Sequence, residues 1–189
     1  MNTIGVILAR FQPIHNGHLE LIKKACEENE KVLLLVGSAD KNNERNPIPI
    51  HLRIQMLKDA LNETHLSSKC VIHPLDDLSS ESDNSIEWGF YLYSKIVDLI
   101  NRSSFTMYYS DGFEIITTWF PGFILRNYVS LVLLARGKVK GGISATEVRK
   151  LILNYDNSKV VEFTLENSVP KTVYEKRDII QTFLKLYTK

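Results

Sequence analysis

Short runs that are apolar on both faces recur along this chain, each followed by a longer amphipathic stretch, and that alternation restricts the fold more than any other feature. Ile4–Ala9 and Lys31–Val36 (Lys-Val-Leu-Leu-Leu-Val) are too continuously hydrophobic for strands with one face in water. Further strands are read at Cys70–His73, Phe105–Tyr109 and Val129–Ala135. Helical periodicity fills Gly17–Glu28, with Leu19, Ile22, Lys23 and Cys26 on one face, and Ile50–Leu61, with Ile54, Leu57 and Leu61 inward. It recurs at Ile86–Ile100, Ala145–Asn154 and Thr172–Tyr187. Strands buried on both faces and separated by helices require a parallel sheet with helices on each side. Right-handed crossovers then give an α/β, Rossmann-like doubly wound parallel five-stranded sheet with a C-terminal helical segment.

Ligands of such sheets sit beyond the carboxyl ends of the strands. The segments that directly follow strands, 10–16, 37–46, 74–85 and 110–119, are therefore where chemistry is expected. The first of them reads Ala9-Arg10-Phe11-Gln12-Pro13-Ile14-His15-Asn16-Gly17-His18 and runs from a strand into a helix. A helix start offers amide N–H groups and positive dipole potential to an anion. His15 just before the helix and His18 in its first turn can converge on one phosphate, Gly17 permits close backbone approach, and Arg10 adds a permanent charge. Either histidine alone would more often be structural, and two histidines three apart can share a metal ion. No further Cys, His or carboxylate cluster lies nearby to complete a metal site, and His51, His65 and His73 are scattered and read as structural. The combination after a buried strand favours phosphate.

A second segment, Gly142-Ile143-Ser144-Ala145-Thr146-Glu147-Val148-Arg149, has Ser144 and Glu147 spaced as a capping box. Such a box often does no more than start a helix. Arg149, however, lies early in that helix, where the dipole does not favour a cation, and an anionic partner would account for it.

The His15-Asn16-Gly17-His18 element resembles the His-x-Gly-His signature of the nucleotidyltransferases related to class I aminoacyl-tRNA synthetases. Arg10-Phe11-Gln12-Pro13 resembles, more narrowly, the Gly-Arg-Phe-Gln-Pro variant of archaeal-type nicotinamide-nucleotide adenylyltransferases, with Ala9 in place of glycine. Gly142–Arg149 is similar to that family's Ile-Ser-x-Thr-x-x-Arg motif, with Ala145 where glycine also occurs. The resemblance spans residues 4–153 and is lost over the divergent segment 111–140. It implies transfer of AMP from ATP to nicotinamide mononucleotide, giving NAD and pyrophosphate, with Mg2+ bound mainly through the ATP phosphates. His15, His18, Arg10 and Arg149 are then the catalytic group. Ala9, Phe11, Gln12, Gly17, Arg45, Ser144 and Thr146 are expected at ATP, and Gly37, Ser38, Asn84 and Trp88 at the second substrate. Asn84 and Trp88 resemble an Asn-Asp-x-x-Trp element with Ser85 at the Asp position, and a tryptophan there can stack on a pyridinium ring. Pro74–Asp77 is a candidate for hydrogen bonds to nicotinamide or ribose, Tyr109–Gly112 for the adenosine side. Arg53 is read as structural.

Two rivals stay open. The same chemistry could serve another acceptor, such as nicotinate mononucleotide, phosphopantetheine or a CTP-dependent substrate. Alternatively, the chain could be a non-catalytic nucleotide sensor.

Composition narrows the context. The 189 residues are 44% apolar and 24% charged, which suits one folded domain and excludes a disordered or disulfide-built chain. The expected division is a nucleotide-binding core over 1–153 and a helical extension over 154–189. Basic and acidic residues number 23 and 22, for a net charge of +1, so no broad nucleic-acid-binding face is expected. The two cysteines, Cys26 and Cys70, fit a reducing compartment. The N-terminal apolar run is short and follows no positive charge, and none approaches the roughly 20 residues that span a bilayer. A cytoplasmic protein without membrane contact is expected, and self-association is left open.

Overall fold

The computed structural model describes residues 3–110, 113–135, 143–155 and 159–187, without the side chains of 113–115. The segment Lys138-Val139-Lys140-Gly141-Gly142, which reads in sequence as a flexible basic hinge, and the pair Asp111–Gly112 lie outside the described residues.

Five parallel strands, β1 (Ile4–Ala9), β2 (Lys31–Val36), β3 (Cys70–Pro74), β4 (Phe105–Tyr109) and β5 (Val129–Leu133), form one sheet in the order β3-β2-β1-β4-β5. Alternate residues of each central strand feed opposite layers. From β2, Val32, Leu34 and Val36 enter one core, and Leu33 and Leu35 enter the other. From β1, Ile7 and Val6 divide the same way. This double burial is the reason both strands are uninterrupted apolar runs.

The first layer holds α1 (Asn16–Glu28), α2 (Ile50–Glu63) and α6 (Ala145–Leu153), and the second holds α3 (Ile86–Ile100), α4 (Phe113–Trp119) and α5 (Gly122–Asn127). On α1 the buried stripe is Leu21, Ile22, Ala25 and Cys26, with Lys23 in water, so the inward face is rotated from the one expected through Leu19 and Lys23. Ser85 caps α3 by accepting the Trp88 amide at 3.1 Å, so serine performs the capping that an aspartate there would.

Three C-terminal helices follow: α7 (Lys159–Ser168), α8 (Lys171–Glu175) and α9 (Arg177–Tyr187). Leu165, Val173, Ile180 and Leu184 join the first core, and the Asn16 amide side chain donates to the Asn167 carbonyl at 2.8 Å. The single helix expected over Thr172–Tyr187 is two. The Thr172 backbone amide and hydroxyl bind Glu63 and Asp59 of α2, whereas Gln181 of α9 donates to the Ile152 and Leu153 carbonyls at the end of α6. The two pieces pack on different partners, and the chain bends at Lys176 between them.

Among the described residues no helix is long and apolar enough to cross a membrane.

Candidate active site

Strand β1 lies at the point where successive crossovers leave in opposite directions, β2 on one side and β4 on the other, and a crevice opens over its carboxyl end. Beyond Ala9 the chain turns sharply. Phe11 is left-handed at φ 50° and the Gln12–Pro13 peptide is cis. The Phe11 ring and Gln12 side chain are both buried. Gln12 takes up both backbone groups of Ile48, donating to its carbonyl at 3.2 Å and accepting from its amide at 3.0 Å. These two residues, expected at ATP, thus shape the turn, with the Gln12 amide committed to the approach to α2.

The turn delivers His15 to the N-cap of α1 in extended conformation, with no side-chain hydrogen bond capping the helix. The positive end of the helix dipole is therefore available to an anion. The His15 and His18 rings stack with centroids 3.8 Å apart, and Phe11 lies 4.9 Å from His18. A Cβ on Gly17 would come within 3.1 Å of the His15 ring, so the absence of a side chain there lets the imidazole lie flat over the helix start.

The second motif closes on the first. Its capping box forms in both halves, with Ser144 Oγ accepting the Glu147 amide at 3.2 Å and Glu147 Oε2 accepting the Ser144 amide at 2.7 Å. Arg149 donates to the Gln12 carbonyl at 2.8 Å and to Thr146 Oγ1 at 3.2 Å. One guanidinium thus bridges segments 137 positions apart.

Three arginines crowd here. Burial lowers the proton affinity of Arg10 and Arg149; the Arg45 charge depresses Arg10 further, and the Arg10 charge depresses Arg149. Arg45 Nε also meets Glu81 Oε2 at 3.3 Å. An anion placed among them would relieve repulsion that is already present, which is favourable electrostatics for a polyphosphate.

A cavity of about 610 Å³ opens beside Arg10. Ala9, Arg10, Gly37, Ser38, Arg45, Asn84 and Trp88, all expected from sequence, line it together with Asp77, Glu81 and Trp119. His15, Gly17, His18, Ser144, Thr146 and Arg149 are not in its lining; of these, Arg149 stands near enough to Arg10 for the Arg10 charge to act on it. Trp88 is 7% exposed, and its Nε1 is buried without a hydrogen-bond partner. Asp77 accepts from Ser38 Oγ at 3.2 Å through Oδ1, while its Oδ2 is buried without a partner. Burial pushes the Asp77 carboxyl above its usual range, more than the Ser38 hydrogen bond lowers it, and nearby Asp40 adds to the rise.

Trp119 ends the expected segment 110–119 but was not singled out within it. It reaches the cavity because Gly89 of α3 lies against its backbone: a Cβ on Gly89 would stand 2.6 Å from the Trp119 carbonyl oxygen. The sequence signal was slight, one of two tryptophans and a glycine inside a helix. Tyr109 is 7% exposed at the end of β4. Arg53 is structural as expected: it is fully buried and donates to the carbonyls of Arg10, Gly37 and Ser38 at 2.8–2.9 Å.

The family model described as cytidylyltransferase-like matches residues 6–151. A nicotinamide-nucleotide adenylyltransferase of Thermococcus onnurineus is 28% identical over 177 residues, covering 90% of this chain and 80% of that protein. Among solved structures, a bifunctional NMN adenylyltransferase/ADP ribose pyrophosphatase from Francisella tularensis superposes with a TM-score of 0.72 at 22% identity. The match covers 98% of this chain and 53% of that one, so this chain spans about half the bifunctional protein. A second structure of the Francisella tularensis protein, complexed with AMP and a manganese ion, has a TM-score of 0.68 at 22% identity over 98% of this chain and 52% of that one.

Proposed function

The chain belongs to the cytidylyltransferase-like family, and on that premise we propose that it is the adenylyltransferase that joins nicotinamide mononucleotide to the AMP moiety of ATP, releasing pyrophosphate. The observation that carries the choice of acceptor is the polarity of the cavity. Arg10 and Arg45 give its lining cationic groups, while Asp77 and Trp88 give it an anion and an aromatic ring. Nicotinamide mononucleotide has the complementary pattern, a phosphate dianion and a cationic pyridinium ring carrying an amide donor. Trp88 would take the ring by stacking. Asp77 would accept from the carboxamide, whereas nicotinate would set a carboxylate against it.

The 5′-phosphate of the mononucleotide is already an anion, so its attack on the α-phosphorus of ATP needs no general base. Catalysis is positioning together with charge stabilisation in the transition state. His15 and His18 would donate to the transferring phosphoryl group at the start of α1. Arg149, with Ser144 and Thr146, would hold the β- and γ-phosphates, and Arg10 and Arg45 would neutralise charge where the two substrates meet. Mg2+ would arrive on the ATP phosphates. Among the described residues no three His, Cys, Asp or Glu side chains stand together as a ligand set for an ion, and no step here runs through a metal.

The direct test is pyrophosphate release with ATP or CTP against a panel of acceptors: nicotinamide mononucleotide, nicotinate mononucleotide and phosphopantetheine. ATP with nicotinamide mononucleotide should be the best pair. Nucleotide binding without turnover on any pair would favour the sensor reading.

Two variants probe the cavity. Trp88→Ala should raise KM for nicotinamide mononucleotide about tenfold, the loss of one stacked cation, with much less effect on KM for ATP. An unchanged mononucleotide KM would leave Trp88 a core residue only. Asp77→Asn should reduce the preference for the amide over the acid acceptor about tenfold or more, the worth of one hydrogen bond to a charged group. The same variant carries a stability prediction. Because the folded-state affinity of Asp77 for its proton exceeds the unfolded one, ionising it costs stability above the ordinary carboxylate range, and that cost vanishes as pH falls through the range. Asp77→Asn should therefore melt above the parent at pH 7, and the gap should close as pH is lowered towards about 4.

A further inference from the structure

Outside this site, Cys26 in the last turn of α1 and Cys70 at the start of β3 bring their sulfurs to 3.6 Å. They are the two cysteines of the chain, and neither lines the cavity or is among the residues proposed for phosphate. Cys26 is 2% exposed, whereas Cys70, on an edge strand of the sheet, is only half-buried.

The surroundings suit thiol chemistry. Cationic Lys69 donates its ammonium to the Cys26 carbonyl at 2.6 Å, and Lys31 donates to the Ser68 carbonyl at 2.9 Å, so both charges stand near the pair. The Cys70 hydrogen bond is the main reason the Cys26 thiol sits below its usual value, with Lys69 assisting against burial, while the Cys70 thiol is pushed up in turn. The pair thus shares its first dissociation, and partial exposure beside positive charge is where reactive cysteines are found. A disulfide bond is about 2.05 Å long, so closure needs the sulfurs to approach by about 1.5 Å.

We propose that Cys26 and Cys70 form a reversible intrachain disulfide, a redox modification site that staples α1 to the edge strand β3. With hydrogen peroxide as oxidant the balance is complete. The Cys70 sulfur attacks the peroxide O–O bond as its shared proton passes to the Cys26 sulfur, giving a Cys70 sulfenic acid and hydroxide. The Cys26 sulfur then attacks the sulfenic sulfur, the S–S bond forms, and water leaves with the Cys26 proton. Two thiols are oxidised and one peroxide is reduced. Under reducing conditions the pair rests as the dithiol, as disulfides of redox-sensing type do.

The two stapled elements are the supports of the candidate site. His15 is the N-cap of α1, and β3 leads through Leu75 to Asp77, which lines the cavity. The crosslink closes a loop of 44 positions, which restricts the unfolded chain and steadies both supports at their far ends.

Treating the full chain with stoichiometric hydrogen peroxide should take its thiols, titrated in denaturant, from two per chain to none. Peptide mapping should yield a linked Cys26–Cys70 peptide. The melting temperature should rise by about 5–10 °C, and dithiothreitol should reverse the gain. Cys26→Ser and Cys70→Ser should each lose both the linked peptide and the rise. Thiols that stay titratable, sulfinic acid at either cysteine, or an interchain crosslink in place of the linked peptide would overturn the proposal.

Discussion

Replacing His18 with alanine is expected to lower kcat by about 10²–10³, the usual cost of removing one preorganised donor at a developing charge. The ring lies in the first turn of α1, stacked 3.8 Å from His15 and 4.9 Å from Phe11, where the helix dipole already favours an anion. On the proposed roles its loss should be felt mainly in the transition state, because Arg10, Arg45 and Arg149 would remain for the ground-state phosphates. KM for ATP should change much less than kcat. Folding should be nearly untouched, within about 1 kcal/mol, since His18 is only half-buried and packs beside the core. His18→Asn, which keeps one N–H donor, should fall between parent and alanine. Turnover near the parent value in a folded alanine variant would remove His18 from the reaction.

Arg53→Met should show the opposite profile, a large loss of stability. Arg53 lies on α2 with no exposure, and its guanidinium collects the carbonyls of Arg10, Gly37 and Ser38 where β1 and β2 end. Burial, with the nearby Arg10 charge, pulls its pKa down to about 10 against the opposing charge of Asp77, yet it remains a cation at neutral pH and donates to those carbonyl oxygens. Methionine has similar length but no donor, so the Arg10 and Gly37 carbonyls would lose the guanidinium, and the Ser38 carbonyl would keep the Lys41 amide at 3.3 Å. Each unsatisfied buried group costs about 1–3 kcal/mol, and a total near 3–5 kcal/mol is expected. That corresponds to a melting temperature lower by roughly 10 °C for a chain of this size. Arg10 and Ser38 both line the cavity, so the surviving folded fraction should also bind the mononucleotide more weakly. A melting temperature within about 2 °C of the parent would show that water replaces the guanidinium without loss.

The sheet was legible because strands covered on both faces leave a mark that helices do not imitate at that length. Ile4–Ala9, Lys31–Val36, Phe105–Tyr109 and the helix Ile86–Ile100 have the bounds read from sequence. Helices α4, α5 and α7 were not read. The first two span only 7 and 6 residues, too short for a period to declare itself. In α7, Leu165 is buried while Val160 and Phe163 face outward, which blurs the apolar stripe. For the site, the residues lining the crevice over β1 were legible as segments following strands. What sequence could not show were the contacts between distant segments: Arg149 on the Gln12 carbonyl, Gln12 across Ile48, and Arg53 beneath two strand ends. Gln12 looked like a ligand-binding residue because it stands in the motif. Its side chain also braces the motif's backbone by pairing with both backbone groups of Ile48.

The central claim is that AMP is transferred intact from ATP to the phosphate of nicotinamide mononucleotide. Following the parent protein with ATP labelled on the α-phosphorus and unlabelled nicotinamide mononucleotide tests it most directly. All transferred label should appear in NAD, in step with unlabelled pyrophosphate, and the rate should fall about 10²–10³ in His18→Ala. Label remaining in ATP, or released as free AMP with no dinucleotide formed, would contradict the account.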